Sequence, residues 1–148
     1  MRRYDFGGGE YVEEDTTHVV DILSAEKIHE YNPDYTGDII HGDITTPLQL
    51  TPGDHVNISQ VLRYHNSERG HLQGDPIDPV KLLQIASNIH DALLPGGTVH
   101  IFDHVELAAI VAGMLMAKDY TTTRADMINP ADEDYPEEWR FELRRPNS

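Results

Sequence analysis

Residues 78–104, DPVKLLQIASNIHDALLPGGTVHIFDH, encode a helix, a glycine turn and a buried strand in one unbroken run. Asp78 is suited to cap a helix and Pro79 to occupy its first position, where a missing N–H costs nothing. Val80, Leu82, Leu83, Ala86, Ile89, Ala92 and Leu93 recur at helical spacing and predict one apolar face. Pro95, Gly96 and Gly97 are expected to stop that helix, and residues 98–103 form a short β-rich run. A helix that turns straight back into a buried strand belongs to an α/β sheet.

Upstream, four further runs read as strands: residues 2–6 (RRYDF), 18–23 (HVVDIL), 38–43 (DIIHGD) and 55–62 (HVNISQVL). What separates them is short. Residues 10–17 leave too little chain for the helix that usually carries a parallel crossover of a dozen or more residues. Residues 44–54, ITTPLQLTPGD, are too broken by proline for a good helix, whereas residues 25–31 suit a short one. One flank of the sheet is therefore expected to be thin, either wet or covered by a second copy of the chain in a homodimer. Downstream, residues 106–118 are apolar around most of a helix, and residues 120–128 and 139–145 read as two closing strands joined by the acidic loop NPADEDYPEE.

With 148 residues the chain is read as a single domain, residues 1–148. Its 26 acidic side chains against 11 basic ones give a formal charge of −15, and only Lys27, Lys81 and Lys118 are lysines. So much like charge destabilises a small domain in dilute buffer but keeps its surface hydrated in brine, so the expected setting is the cytoplasm of a halophile or of a host infected by a halophile's virus. The basic stripe of a nucleic-acid binder is missing. No cysteine is present, and no apolar run approaches a membrane span. His100 and His104 share a strand face but lie about 13 Å apart, too far for one ion, so no metal is expected. The NPDY at residues 32–35 is read as a turn.

In an open parallel sheet, ligands sit outside the carboxyl ends of the strands. After the first strand comes DFGGG, and glycine backbone there permits close approach of a ligand. Asp21, on the second strand, is placed to accept hydrogen bonds from ribose hydroxyls. ALLPGGTVHIFD resembles the L-x-P-G-G segment before the fifth strand of class I S-adenosylmethionine-dependent methyltransferases, and Asp5, Gly7 and Gly9 resemble that family's (D/E)-x-G-x-G loop. THVVD is similar to the second strand of short family members whose glycine loop runs almost directly into it.

The resemblance implies a Rossmann-like sheet, mostly parallel with an antiparallel C-terminal strand and reduced helices on one flank. It further implies that Asp5, Gly7, Gly8, Gly9, Asp21, Ile22, Asp43, Ile44 and Ser59 bind S-adenosylmethionine, with Asp43 receiving the adenine amino group. Where short members show H-V-L-E-H, this chain has Gln60, Val61, Leu62, Arg63 and Tyr64, with His65 one place along. His65 is the candidate general base, since an imidazole titrates near neutrality. The activity implied is methyl transfer to a small-molecule or protein acceptor, bound by the loops around residues 65–75, 103–106 and 129–138 or by a partner subunit. A catalytically degenerate binding or assembly module is the alternative. A dehydrogenase is disfavoured because the third glycine of G-x-G-x-x-G is missing.

Overall fold

In the computed structural model, which describes residues 1–147, the elements in chain order are β1 (Arg3–Phe6), β2 (His18–Asp21), α1 (Ala25–Tyr31), β3 (Asp38–His41), β4 (Gly53–Ser59), α2 (Leu62–Asn66), α3 (Pro79–Asp91), β5 (Leu93–His104), α4 (Val105–Met116), β6 (Thr121–Asn129) and β7 (Glu138–Arg144). All seven strands join one sheet in the order β3-β2-β1-β4-β5-β7-β6. β1 to β5 run parallel, while β7 is antiparallel to both β5 and β6. The expected mostly parallel α/β sheet with an antiparallel end is thus the observed one.

The deciding stretch folds as a helix and a strand with a different joint. The Asp78 carboxylate accepts from the backbone N–H groups of Val80 and Lys81, and Pro79 opens α3 as expected. Leu82, Ile85, Ala86 and Ile89 form the buried stripe. Val80 and Leu83 do not join it, being 75% and 55% exposed. Leu83 sits one residue, about 100°, around from Leu82, and the stripe set by the i, i+3, i+4 and i+7 positions leaves it outside.

Strand β5 starts at Leu93, not at Thr98, so Pro95, Gly96 and Gly97 lie within it. Leu93 pairs with Gly53 and the register then shifts before His55 meets Thr98. Gly96 takes φ +80° at that irregularity, and its N–H and the Gly97 carbonyl bond to the backbone of Arg145.

Other strands also end sooner than the hydrophobic pattern indicates, β2 at Asp21 among them. β3 stops at His41, after which Asp43 closes a turn with Thr46. β4 stops at Ser59, because Gln60 adopts φ +57° and turns the chain into α2, a helix that the alternating pattern of residues 55–62 concealed.

The missing crossover helices are indeed absent: residues 7–17 and 42–52 hold no helix. Asn88 compensates for the second gap. It is buried in α3, and its Nδ2 donates to the carbonyls of Ile44 (2.9 Å) and Thr46 (2.8 Å) while its Oδ1 accepts from the Leu48 N–H (3.2 Å). One side chain thereby satisfies backbone groups that a helix would have satisfied internally.

The sheet has two unlike faces. Registered neighbours point the same way, so Tyr4, Phe6, Val20, Val56, Ile58, Val99, Ile101 and Leu143 share one face and form the core with α2, α3 and α4. The opposite face carries Asp5, His55, Asn57, Thr98, His100 and Glu142 along the same strands.

Candidate functional site

Strand order reverses between β1 and β4, which opens a crevice at their carboxyl ends. A cleft of about 520 Å³ occupies it, within the size range of small-molecule and cofactor sites. Gly7 and Gly8 from the β1 loop, Asp21 and Ile22 at the end of β2, Ile44 beyond β3, and Ser59 at the end of β4 line this cleft, as does His65 on α2.

Local chemistry explains the glycines. Gly7 has φ +75°, a conformation that L side chains rarely adopt, and a Cβ there would press into Val61. A Cβ on Gly8 would sit on the Asp5 carboxylate. The loop is thus bare backbone by necessity, shaped as a cradle beside the cleft.

Asp21 is buried and firmly held. Its Oδ2 accepts from the Gly9 N–H (2.8 Å) and its Oδ1 from the Leu23 N–H (2.9 Å). Each carboxylate oxygen keeps a further lone pair, so the group retains acceptor capacity toward the cleft that it lines. Gly9 does not line the cleft itself; its part is to orient Asp21.

Two more of the expected residues stand off the cleft. Asp43 lies behind Ile44, its Oδ1 accepting from the Thr45 N–H (2.8 Å) and hydroxyl (2.7 Å) and standing 3.8 Å from His65 Nδ1. Partial burial pushes the Asp43 carboxyl up, but the Thr45 hydrogen bonds and the nearby His65 and Lys81 outweigh it and hold it below its ordinary value. Asp5 is buried under the glycine loop, accepting from the Glu13 N–H (3.1 Å) and from Asn57 Nδ2 (3.4 Å). Burial, aided by the charges of Glu13 and Asp21, pushes its pKa to about 6 against the lowering effect of those hydrogen bonds.

His65 lies in the cleft wall, but its ring nitrogen faces Asp43. Burial lowers its pKa despite the Asp43 and Asp21 charges, so the imidazole is neutral at pH 7. It therefore stands at the β3 side of the cleft, opposite the β5 side.

The helix that carries His65 is positioned by residues that the sequence reading passed over. Val61 caps α2 without a side-chain hydrogen bond. The buried Asp103 on β5 does the work instead, accepting from the Leu62 N–H (2.9 Å) and from Arg63 Nε (3.1 Å). Arg63 also pairs with Glu138 on β7, and Gln60 Nε2 donates to the same carboxylate (3.2 Å). Gln60, held in a left-handed conformation at the strand end, is strained as functional-site residues often are. The sequence places Asp103 at a strand end and in a candidate acceptor loop, and its partners Leu62 and Arg63 are remote in sequence.

A second cavity of about 420 Å³ opens beside the cleft on the polar face of the sheet, sharing Gly8, Tyr11, Ser59 and Gln60 with it. Asp5, Asn57, His100, Phe102 and Arg140 line its floor. Among the described residues, no group of three histidine, aspartate or glutamate side chains is arranged to hold a metal ion, and no helix is long and apolar enough to cross a membrane.

No protein-family model and no curated protein sequence matches the chain. Solved structures do. The N-methyltransferase NodS from Bradyrhizobium japonicum WM9, in complex with S-adenosyl-L-homocysteine, matches 98% of this chain and 78% of its own at 14% identity, with a TM-score of 0.72. An S-adenosylmethionine-dependent methyltransferase from Mesorhizobium loti matches over 97% and 90% at 16% identity, with a TM-score of 0.66. The 1,6-didemethyltoxoflavin-N1-methyltransferase from Burkholderia thailandensis matches over 98% and 72% at 12% identity, with a TM-score of 0.65. The chain has the fold of the class I S-adenosylmethionine-dependent methyltransferases.

Proposed function

We propose that the protein is an S-adenosylmethionine-dependent methyltransferase and that the 520 Å³ cleft holds the methyl donor. The observation that carries this reading is Asp21: a buried carboxylate at the end of β2, locked by two backbone N–H groups and lining the cleft with acceptor capacity to spare. A diol such as the ribose of the donor supplies the donors that such a carboxylate requires. Solved relatives in fold that bind S-adenosylhomocysteine support the same cofactor.

In this reading Gly7 and Gly8 give the methionine portion a floor without side chains, and Ile22 and Ile44 supply apolar walls for the base. Asp43 orients the β3 loop through Thr45 and sets the adenine end of the cleft together with His65. His65 stands on the adenine side of the cleft, 3.8 Å from Asp43, and as a neutral imidazole it remains the candidate general base. Asp5 supports the glycine loop from beneath. The donor carries an already activated methyl group, so the protein's contribution is to position an acceptor and exclude water.

The acceptor is small. The cavity next to the cleft holds about 420 Å³, and the charge of −15 disfavours a phosphate backbone.

Calorimetric titration with S-adenosylhomocysteine in molar KCl tests the assignment. Saturable binding is expected, weakened at least tenfold in Asp21→Ala with the fold retained by circular dichroism. Equal affinity in the variant removes Asp21 from the site, and a folded protein that binds neither S-adenosylmethionine nor S-adenosylhomocysteine leaves the non-catalytic module as the better account.

A further inference from the structure

The cavity on the polar face is the feature that the fold alone does not explain. On that face β4 and β5 present Asn57 and His100, in register and buried or half-buried, where an uncovered sheet needs nothing more than solvated side chains. Instead these residues are wired together. His100 Nδ1 lies 2.7 Å from Asn57 Oδ1, Ser59 Oγ donates to the same oxygen (3.3 Å), and Asn57 Nδ2 donates to Asp5 (3.4 Å). Asn57 Oδ1 is an acceptor only, so His100 Nδ1 carries the hydrogen and Nε2 is left with its lone pair. The ring is neutral at pH 7, since burial lowers its pKa. His100 thus offers a fixed hydrogen-bond acceptor to the cavity it lines.

The cationic group that lines the cavity is Arg140, alongside the Asp5 and Glu13 carboxylates. Arg140 on β7 is paired in register with Phe102 and lines the cavity with it. Among the described residues its guanidinium makes no hydrogen bond: Nη2 stands 3.8 Å from Asp126, a carboxylate already engaged by Arg124, and Nε is buried without a partner. In a chain with more than twice as many acids as bases, a guanidinium with so loose a partner is available to an anion. Between the two ends lie the ring of Phe102 and the exposed apolar side chains Tyr11 and Ile128. Two residues of strand, roughly 7 Å, separate Phe102 from His100.

We propose that this cavity is the acceptor site and that it takes a small, flat aromatic carboxylate carrying a hydroxyl at its far end, whose oxygen would gain the methyl as the methyl–sulfur bond of the donor breaks, with the hydroxyl proton passing to His100 Nε2 and S-adenosylhomocysteine leaving. The carboxylate meets Arg140, the ring lies against Phe102, Tyr11 and Ile128, and the hydroxyl donates to His100 Nε2. The cavity shares Ser59, Gln60, Gly8 and Tyr11 with the donor cleft, so its occupant reaches the donor without leaving the protein. The identity of the acceptor rests on the donor reading above, whereas the binding of the anion does not.

The test uses 4-hydroxybenzoate as probe, titrated into the full chain with and without saturating S-adenosylhomocysteine, with benzoate and phenol as controls that each lack one recognised end. Saturable binding of 4-hydroxybenzoate is expected, with both controls at least tenfold weaker. Arg140→Gln and His100→Phe are each expected to weaken it at least tenfold and to leave S-adenosylhomocysteine affinity unchanged, since neither residue lines the donor cleft. Arg140→Lys, which keeps the charge, should recover part of the loss. If S-adenosylhomocysteine binds and 4-hydroxybenzoate does not, or if it binds equally to both variants, the acceptor proposal is overturned and the donor reading stands. If 4-hydroxybenzoate binds with the expected variant pattern and S-adenosylhomocysteine does not, the cavity stands and the donor reading falls.

Discussion

The two faces of β4 and β5 are made by alternate residues of the same strands, yet they serve different ends. Val56, Ile58, Val99 and Ile101 point into a core closed by α3 and α4 and are wholly buried. Asn57, Ser59, His100 and Phe102 point the other way, toward a cavity and a hydrogen-bonded row. A parallel sheet covered on both faces would read as a continuous apolar run, and the alternation in these strands is the signature of a sheet covered on one. The lesson is that the absence of a helix between β1 and β2 does more than thin the fold: it leaves uncovered a face that carries a hydrogen-bonded polar row.

Substitutions in adjacent residues of β5 break this comparison most directly. Ile101→Ala should cost about 3–4 kcal/mol by leaving a cavity in the core, whereas His100→Ala, one residue away, should cost about 1 kcal/mol. Chemical denaturation measures both, and equal losses would mean that the two faces bear stability alike. Next in size, Asn88→Ala should cost about 2–3 kcal/mol, because it strips the backbone of residues 44–48 of its partners. A loss no larger than that of an exposed helix substitution would show that the chain between β3 and β4 holds itself.

The acid limb of stability sharpens the comparison further. His104 is buried, and burial, with Arg63 nearby, depresses its pKa to about 4. The unfolded chain takes up a proton near pH 6.5 that the folded one refuses until about pH 4, so this group's contribution is lost as the pH falls through that window. Asp5 acts in the opposite sense: its raised pKa of about 6 means that folding gains as the pH drops from 6 toward 3.8. His104→Leu should therefore stabilise the protein by about 2 kcal/mol at pH 4.5 and by less at pH 7.5. Thermal melts at the two pH values read the difference, and a constant offset would rule out titration of His104 as its source.

Much of this architecture was legible in the sequence because short-range chemistry fixed it. Asp78, Pro79 and the i, i+3, i+4 stripe of α3 specify that helix locally, and the glycine loop followed closely by Asp21 marked both the missing helix and the cleft. The failures came where a distant residue decided. Gln60 turns out of its strand at φ +57°, with its side chain reaching Glu138 on β7, 78 residues away. α2 is capped by Asp103, 41 residues away, and no local pattern announces such a cap. His65 was named for its capacity as a base, and its position 3.8 Å from Asp43 appears only in three dimensions. His100 was weighed only as a metal ligand, since the register that places it against Asn57 is a property of the folded sheet.

The central claim is that the strand-end cleft binds the methyl donor, and amide hydrogen exchange with and without S-adenosylhomocysteine in molar KCl tests it at the level of single segments. The account predicts slowed exchange in residues 7–9, 21–23 and 42–45 and at Ser59 and Gln60, with β6 unchanged. Protection confined to β6 and β7, or none in a protein shown to be folded under the same conditions, would contradict it.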